Sequence, residues 1–154
     1  DALPIYAITS LGRFKNVKRR MEVIAQINGI TIYDDFAHHP TAIKLTLDGL
    51  RKQVKDERIV AIVEPRSNTM RMGVHKDTLA QSLTQADRVL MFQPDDMAWD
   101  LSALETESNN IEMVSSIDQL LLELKKEAAN GGHFLLMSNS GFGGIYKKLI
   151  EQLQ

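Results

Sequence analysis

Ile59-Val60-Ala61-Ile62-Val63 is an unbroken apolar run of five residues, closed on one side by Arg58 and on the other by Glu64-Pro65-Arg66-Ser67-Asn68. A run this short and this sharply stopped fits a strand buried on both faces of a parallel sheet, because a strand with one wet face would alternate. Arg88-Val89-Leu90-Met91-Phe92 and His133-Phe134-Leu135-Leu136-Met137 repeat the pattern. Helical periodicity before, between and after these runs predicts helices over 41–54, 76–85, 116–129 and 145–153, placed as crossovers between parallel strands.

Upstream the pattern changes to alternation. Val23, Ala25 and Ile27 are expected to share one face, Asn28-Gly29 forms a two-residue hairpin turn, and residues 30–33 run back. The fold class expected is α/β: a Rossmann-like, mostly parallel sheet flanked by helices, with one antiparallel β-hairpin near the N-terminus. Residues 97–104 are expected to add a short helix and residues 111–114 a short strand. Residues 3–11 read as a short apolar helix ended by Gly12. On that reading residues 1–13 are the tail of a preceding domain or a linker, and residues 14–154 are the domain proper.

With 154 residues, 44% of them hydrophobic and 25% charged, the chain is sized for one domain with a real core. A net charge of −2 builds no one-signed field, so neither a nucleic acid nor a membrane surface is an expected partner. Cysteine is absent, which removes disulfides, thiolate nucleophiles and thiolate metal sites and points to the cytoplasm. No apolar run approaches the roughly 20 residues that cross a bilayer.

Ligands of open α/β sheets gather beyond the carboxyl ends of the strands, so the loops there hold the candidate residues. Tyr33-Asp34-Asp35-Phe36-Ala37-His38-His39-Pro40 ends a strand in two acids and opens a helix with Pro40 at its first position, where free N–H groups favour anions. One alternative is that Asp34 or Asp35 merely caps that helix. Another is a metal site on Asp34, Asp35, His38 and His39, although adjacent histidines usually point apart. Before the hairpin, Lys15, Lys18, Arg19 and Arg20 form a basic cluster, either a solvated face or a phosphate contact, and arginine grips phosphate through two parallel bonds. Glu64-Pro65-Arg66-Ser67-Asn68-Thr69-Met70-Arg71 offers Arg66, Arg71, Ser67 and Asn68 to a ligand bearing carboxylates, or else is a polar crossover with Pro65 as a rigid turn. Ser138-Asn139-Ser140-Gly141-Phe142-Gly143-Gly144 can bring backbone close to a ligand or can be a ligand-free tight turn. It does not follow the first strand of the sheet, so a dinucleotide fingerprint is rejected.

Arg19-Arg20-Met21-Glu22 ahead of an Asn-Gly hairpin, followed by Asp34-Asp35-Phe36-Ala37-His38-His39-Pro40, resembles the start of the C-terminal domain of Mur ligases. These enzymes join amino acids to a cell-wall precursor using ATP. The resemblance implies γ-phosphate contact for Arg20, ribose contact for Asp35, and a place near adenine for Phe36, His38 and His39. The strings beginning at Glu64 and Ser138 resemble the wall-recycling branch of the family. Its substrates are UDP-N-acetylmuramate and L-alanyl-γ-D-glutamyl-meso-diaminopimelate. Glu64-Pro65-Arg66 stands where diaminopimelate-adding members have Asn-Pro-Arg, which implies a substrate carboxylate for Arg66 and a peptide-side place for Ser67, Asn68, Arg71, Ser138 and Asn139.

The implied chemistry is phosphorylation of the muramic acid carboxylate by ATP, then attack of the alanine amine on the acyl phosphate, giving an amide, ADP and phosphate. Arg20 would act as a preorganised positive group on the transferring phosphoryl. The chain contains no G-x-x-x-x-G-K-[ST] loop. The resemblance assigns that loop, the Mg²⁺-binding groups and the UDP-sugar site to two preceding domains, so the expectation is that this stretch alone is inactive and that no metal is held by its own residues. A nucleotide-binding regulatory module without catalysis is the competing reading, since a Rossmann-like sheet does not fix function.

Overall fold

The computed structural model describes residues 18–93 and 95–154. The expected helix at 3–11 and the start of the basic cluster at Lys15 lie outside the described residues. In chain order the elements are β1 (Glu22–Ile27), β2 (Ile30–Asp35), α1 (Pro40–Val54), β3 (Ile59–Val63), α2 (Asn68–Arg71), α3 (Lys76–Ser82), β4 (Arg88–Phe92), α4 (Ala103–Glu107), β5 (Ile111–Val114), α5 (Ile117–Ala128), β6 (Gly132–Met137), a 3₁₀ turn (Phe142–Gly144) and α6 (Ile145–Leu153).

Among the described residues the strands form one six-stranded sheet in the order β1-β2-β6-β3-β4-β5, antiparallel between β1 and β2 and parallel elsewhere. The short apolar runs are strands because both faces are covered. On one face Ile59, Ala61, Val63, Val89, Met91 and Leu135 pack against Ile43, Leu47 and Leu50 of α1 and Leu79 of α3. On the other, Val60, Ile62, Leu90, Phe134 and Leu136 pack against Leu120 and Leu124 of α5 and Ile145 and Leu149 of α6. Strand period 2 sorts neighbouring residues to opposite helical layers, and an apolar residue is needed at every position.

Two expectations are corrected. Val23, Ala25 and Ile27 do not share a face, because the register slips between Val23 and Ala25; Val23 is exposed while Ile24, Ala25 and Ile27 lie on the α5–α6 side. A bulge of this kind adds a residue to one strand and reverses the alternation beyond it. The short helix expected over 97–104 forms later, at α4, with Trp99 and Leu101 held in the preceding loop by packing. The segment after β3 contains α2, a single turn capped by Ser67, whose hydroxyl accepts from Met70 N at 3.4 Å.

The carboxyl and amino edges of the sheet differ. At the amino edge His133 bridges Tyr33 Oη (3.0 Å from Nδ1) and Glu57 Oε2 (2.9 Å from Nε2). A carboxylate only accepts, so Nε2 carries a proton toward Glu57, and in the neutral ring Nδ1 receives the Tyr33 hydroxyl. At the same edge Gly132 has φ +105°, and a Cβ there would lie 2.5 Å from the Arg58 carbonyl oxygen. Gly132→Ala is therefore expected to destabilise the domain by about 1–3 kcal/mol or more, read as a lower urea midpoint at unchanged slope.

Candidate functional site

β2, β6 and β3 are parallel neighbours whose ends are level, with Asp35 and Val63 both opposite Met137. The backbone ladder continues past those ends: Ser138 N donates to Asp35 O at 3.1 Å, and Glu64 N donates to Met137 O at 3.0 Å. Antiparallel pairing of Glu22 with Asp34 returns the basic turn to the same edge. The four loops singled out in the sequence thus converge on the carboxyl edge of the sheet.

The basic turn divides its arginines between two tasks. Arg19 is turned inward: Nε donates to Asp34 Oδ2 at 3.1 Å and Nη2 to the Ser138 carbonyl at 2.6 Å. Tyr146 of α6 donates to the other Asp34 oxygen at 2.7 Å. Burial opposes the Arg19 charge, but Tyr146 and Asp34 outweigh it and hold its pKa above the ordinary range. Burial and the bond to Asp34 likewise push the Tyr146 phenol up. Arg20 lies between two non-glycine residues in the left-handed region, Arg19 at φ 59° and Met21 at φ 48°, and is exposed. That backbone is fastened by Phe36 N to Arg19 O at 2.8 Å, Arg19 N to Glu22 Oε2 at 2.9 Å and Met21 N to Asp35 Oδ2 at 2.8 Å. Left-handed residues of this type cost of order 1–3 kcal/mol each and persist where the surroundings over-determine them.

Asp35 is only 5% exposed. Its oxygens accept from Met21 N and Ala37 N, both at 2.8 Å, and Thr46 of α1 approaches Oδ1 at 3.4 Å. Asp35 therefore fixes the turn before β1 to the loop after β2. Helix α1 is capped by His39 rather than by either aspartate, with Nδ1 accepting from Thr41 N at 3.3 Å and Pro40 in the first helical positions. Phe36 is 45% exposed, edge-on to His38 and with the Arg19 guanidinium 5.3 Å from its ring centre. His38 Nδ1 lies 2.8 Å from the Phe36 carbonyl, and His39 packs edge-on against His75 with ring centres 4.1 Å apart. Asp34, Asp35, His38 and His39 thus face four different sets of neighbours, and among the described residues no group of three or more His, Asp or Glu is disposed to hold a metal.

A buried carboxylate holds together the loops that follow β3 and β6. Glu64, 3% exposed, accepts from Ser138 Oγ and Ser140 Oγ at 2.5 Å each. Ser138 is fully buried, so its hydroxyl joins the β3 and β6 loops and does not face a ligand. Asn139 is half-buried. The glycine turn is anchored by buried Phe142, and Gly143 and Gly144 follow at φ 57° and 71°. Arg66 is exposed, with Nε 3.5 Å from Glu64 Oε1. Ser67 donates to the His38 carbonyl at 3.3 Å and so links the two loops. Asn68 is exposed, and Arg71 pairs with Asp96 at 2.6 Å.

Residues 19–140 match the family model described as Mur ligase, glutamate ligase domain. The chain belongs to the Mur ligase family. It is 47% identical over 152 residues to the UDP-N-acetylmuramate–L-alanyl-γ-D-glutamyl-meso-2,6-diaminoheptandioate ligase of Escherichia coli, covering 97% of this chain and 33% of that one. The chain spans about a third of the length of the curated relatives it matches. Among solved structures it is similar to the murein peptide ligase of Psychrobacter arcticus, with a TM-score of 0.81 and 43% identity over 96% of this chain and 32% of that one. It is also similar to a crystallised domain of a Haemophilus ducreyi protein, with a TM-score of 0.75 and 40% identity over 88% of this chain and 100% of that one.

Within this Mur ligase domain, Tyr146 and Asp96 were not singled out by their sequence context, Arg19 and Asp34 entered only through the basic-cluster, capping and metal alternatives, and Glu64 and Ser140 only as members of their loops. The adjacent Asp34-Asp35 offered a signal, since neighbouring strand residues face opposite layers and two buried acids need separate partners. For Glu64 the signal was its departure from the asparagine of related motifs.

Arg19→Ala leaves Asp34 without its cation and is expected to cost about 1–3 kcal/mol, whereas Arg20→Ala stays within about 0.5 kcal/mol; denaturant titration of both variants checks the division. Burial first, then the charges of His75 and His38, hold the His39 pKa below the ordinary histidine value. A depressed folded-state pKa contributes stability above the unfolded value, near 6.5, and that contribution is lost as pH falls through the folded value. His75→Ala is expected to move the His39 titration upward, seen directly in its imidazole NMR signals.

Proposed function

We propose that this domain supplies the nucleotide-contacting and peptide-accepting side of an ATP-dependent ligase that joins L-alanyl-γ-D-glutamyl-meso-diaminopimelate to UDP-N-acetylmuramate in cell-wall recycling in the cytoplasm. The observation that supports this most is the convergence of four loops on one sheet edge. Arg20 on its fastened turn stands at one side and Arg66 and Arg71 at the other.

Arg20 is the residue assigned to the γ-phosphate. It is exposed, and its neighbours fix the backbone beneath it, so a phosphoryl group would meet a preorganised charge. Phe36 and His38 offer an aromatic surface for adenine. Asp35 is assigned to the ribose, where it would have to accept a hydroxyl through lone pairs not used by Met21 and Ala37. Its larger part in the site is to hold Phe36 and Arg20 in place. His39, as the cap of α1, sets the position of His38. ATP supplies the phosphoryl group that makes the sugar carboxylate reactive; the alanine amine then displaces phosphate. Arg66, Asn68, Arg71 and Asn139 are assigned to the peptide, with Ser67 and Ser138 acting through the loops they hold. Among the described residues no group of three or more His, Asp or Glu is disposed to hold Mg²⁺.

In a protein of the relatives' full length carrying this domain, ADP release should require both UDP-N-acetylmuramate and the tripeptide. Arg20→Ala should lower kcat by about 10²–10³-fold without lowering Tm. Absence of tripeptide-dependent release with the correct sugar nucleotide would sink the reading, and an unaffected Arg20→Ala would remove Arg20 from it.

A further inference from the structure

A concavity of about 240 Å³ beside α2 is lined by Asn68, Arg71, Met72, Asp96 and Ala98. Its two charges face each other, with Arg71 Nη2 2.6 Å from Asp96 Oδ2 and side chains 38% and 52% exposed. An ion pair this wet contributes only about 0–1 kcal/mol, so exchanging partners costs little. A guanidinium offers five N–H groups and a carboxylate two oxygens, and the close contact between them uses one of each. Both members therefore keep capacity for a ligand.

The seam beneath them is rigid. Ala98 N donates to the Arg71 carbonyl at 3.0 Å, and Trp99 Nε1 donates to the Met70 carbonyl at 2.7 Å. Trp99 packs so closely on the α2 loop that a Cβ at Gly73 would lie 3.0 Å from its ring. The positive and negative groups thus rise from two segments that are pinned to one another. Met72 and Ala98 add an apolar wall and Asn68 an amide.

We propose that this concavity binds a zwitterionic amino-acid terminus borne on an aliphatic stem, with its carboxylate on Arg71, its ammonium on Asp96 and its methylene groups along Met72 and Ala98. A carboxylate alone would be repelled by Asp96, and an ammonium alone by Arg71. A terminus with both satisfies both, and replaces the pair without leaving a charge unmatched. Resting on the ligase reading, the terminus is the far end of the peptide's diaminopimelate residue, and Arg66 is left for another carboxylate of the peptide. Asp96 is then a specificity-determining residue.

The full-length enzyme is assayed with three peptides ending in diaminopimelate, in lysine, which lacks the far carboxylate, and in 2-aminopimelate, which lacks the far ammonium. The wild type should favour the first. Asp96→Asn should raise KM for the diaminopimelate peptide about tenfold, the loss of roughly 1.4 kcal/mol, and erase its advantage over the 2-aminopimelate peptide. Equal turnover of all three by the wild type, or an unchanged ranking in Asp96→Asn at unchanged Tm, overturns the proposal and leaves the ligase reading intact. The domain by itself provides the independent arm, since a related domain crystallised alone. Free meso-diaminopimelate should shift the Trp99 indole and Ala98 amide NMR signals, and pimelate and 1,5-diaminopentane should not. That selectivity without turnover would remove the ligase reading and keep this site; shifts from all three compounds, or from none, would overturn it.

Discussion

Two adjacent acids at the end of β2 organise the carboxyl edge of the sheet. Asp34 and Asp35 are consecutive strand residues, so they leave the sheet on opposite faces. Asp34 meets Arg19 and Tyr146 of α6, and Asp35 meets Thr46 of α1 together with the backbone of Met21 and Ala37. A buried carboxylate without partners costs several kcal/mol, and each of these is tolerable only if its partners stay. The strand end is thereby tied to both helical layers and to the turn before β1. A rearrangement of any of these elements would strand a charge.

That constraint explains how two neighbouring arginines come to do different work. The inward Arg19 completes the Asp34 cluster and reaches the Ser138 carbonyl of the next loop. Its left-handed backbone, with that of Met21, throws the intervening Arg20 outward. The strain in the turn is offset by bonds to Asp35, Glu22 and Phe36, all of which depend on the hairpin being in register. Glu64 performs the corresponding service between β3 and β6, where the hydroxyls of Ser138 and Ser140 take its charge. Both sides of the site rest on buried carboxylates that hold loops, with exposed cations left over.

The sheet was legible because its central strands are buried twice over, which forces unbroken apolar runs at Ile59, Arg88 and His133. The turn at Asn28-Gly29 and the start of α1 at Pro40 were legible because each depends on the conformation of one or two residues. The bulge at Val23–Ala25 was not, since it is set by pairing with Tyr33 and Ile32 across the hairpin. Nor was the displacement of the expected 97–104 helix, because Trp99 is recruited by the Met70 carbonyl about thirty residues away. Site residues followed the same division. Their loops could be located from strand ends, but which of Arg19 and Arg20 turns inward, and what neutralises Glu64, depends on partners remote in sequence.

Charge balance, rather than the size of a hollow, separates the two edges of the sheet. A larger concavity, about 350 Å³, lies at the amino edge between Arg58, Arg88 and Asn110. Its arginines are committed: Arg58 pairs with Glu127, and Arg88 is shared among Glu112, Glu123 and Glu127. Burial opposes the Arg88 charge, yet those carboxylates raise its pKa well above the ordinary range. An anion entering there would have to displace acids already in place. At the carboxyl edge Arg20 is exposed, Arg66 meets Glu64 only at 3.5 Å, and the acids beside them are bound to backbone amides and hydroxyls, so incoming phosphate or carboxylate would meet positive charge that the fold has only lightly used.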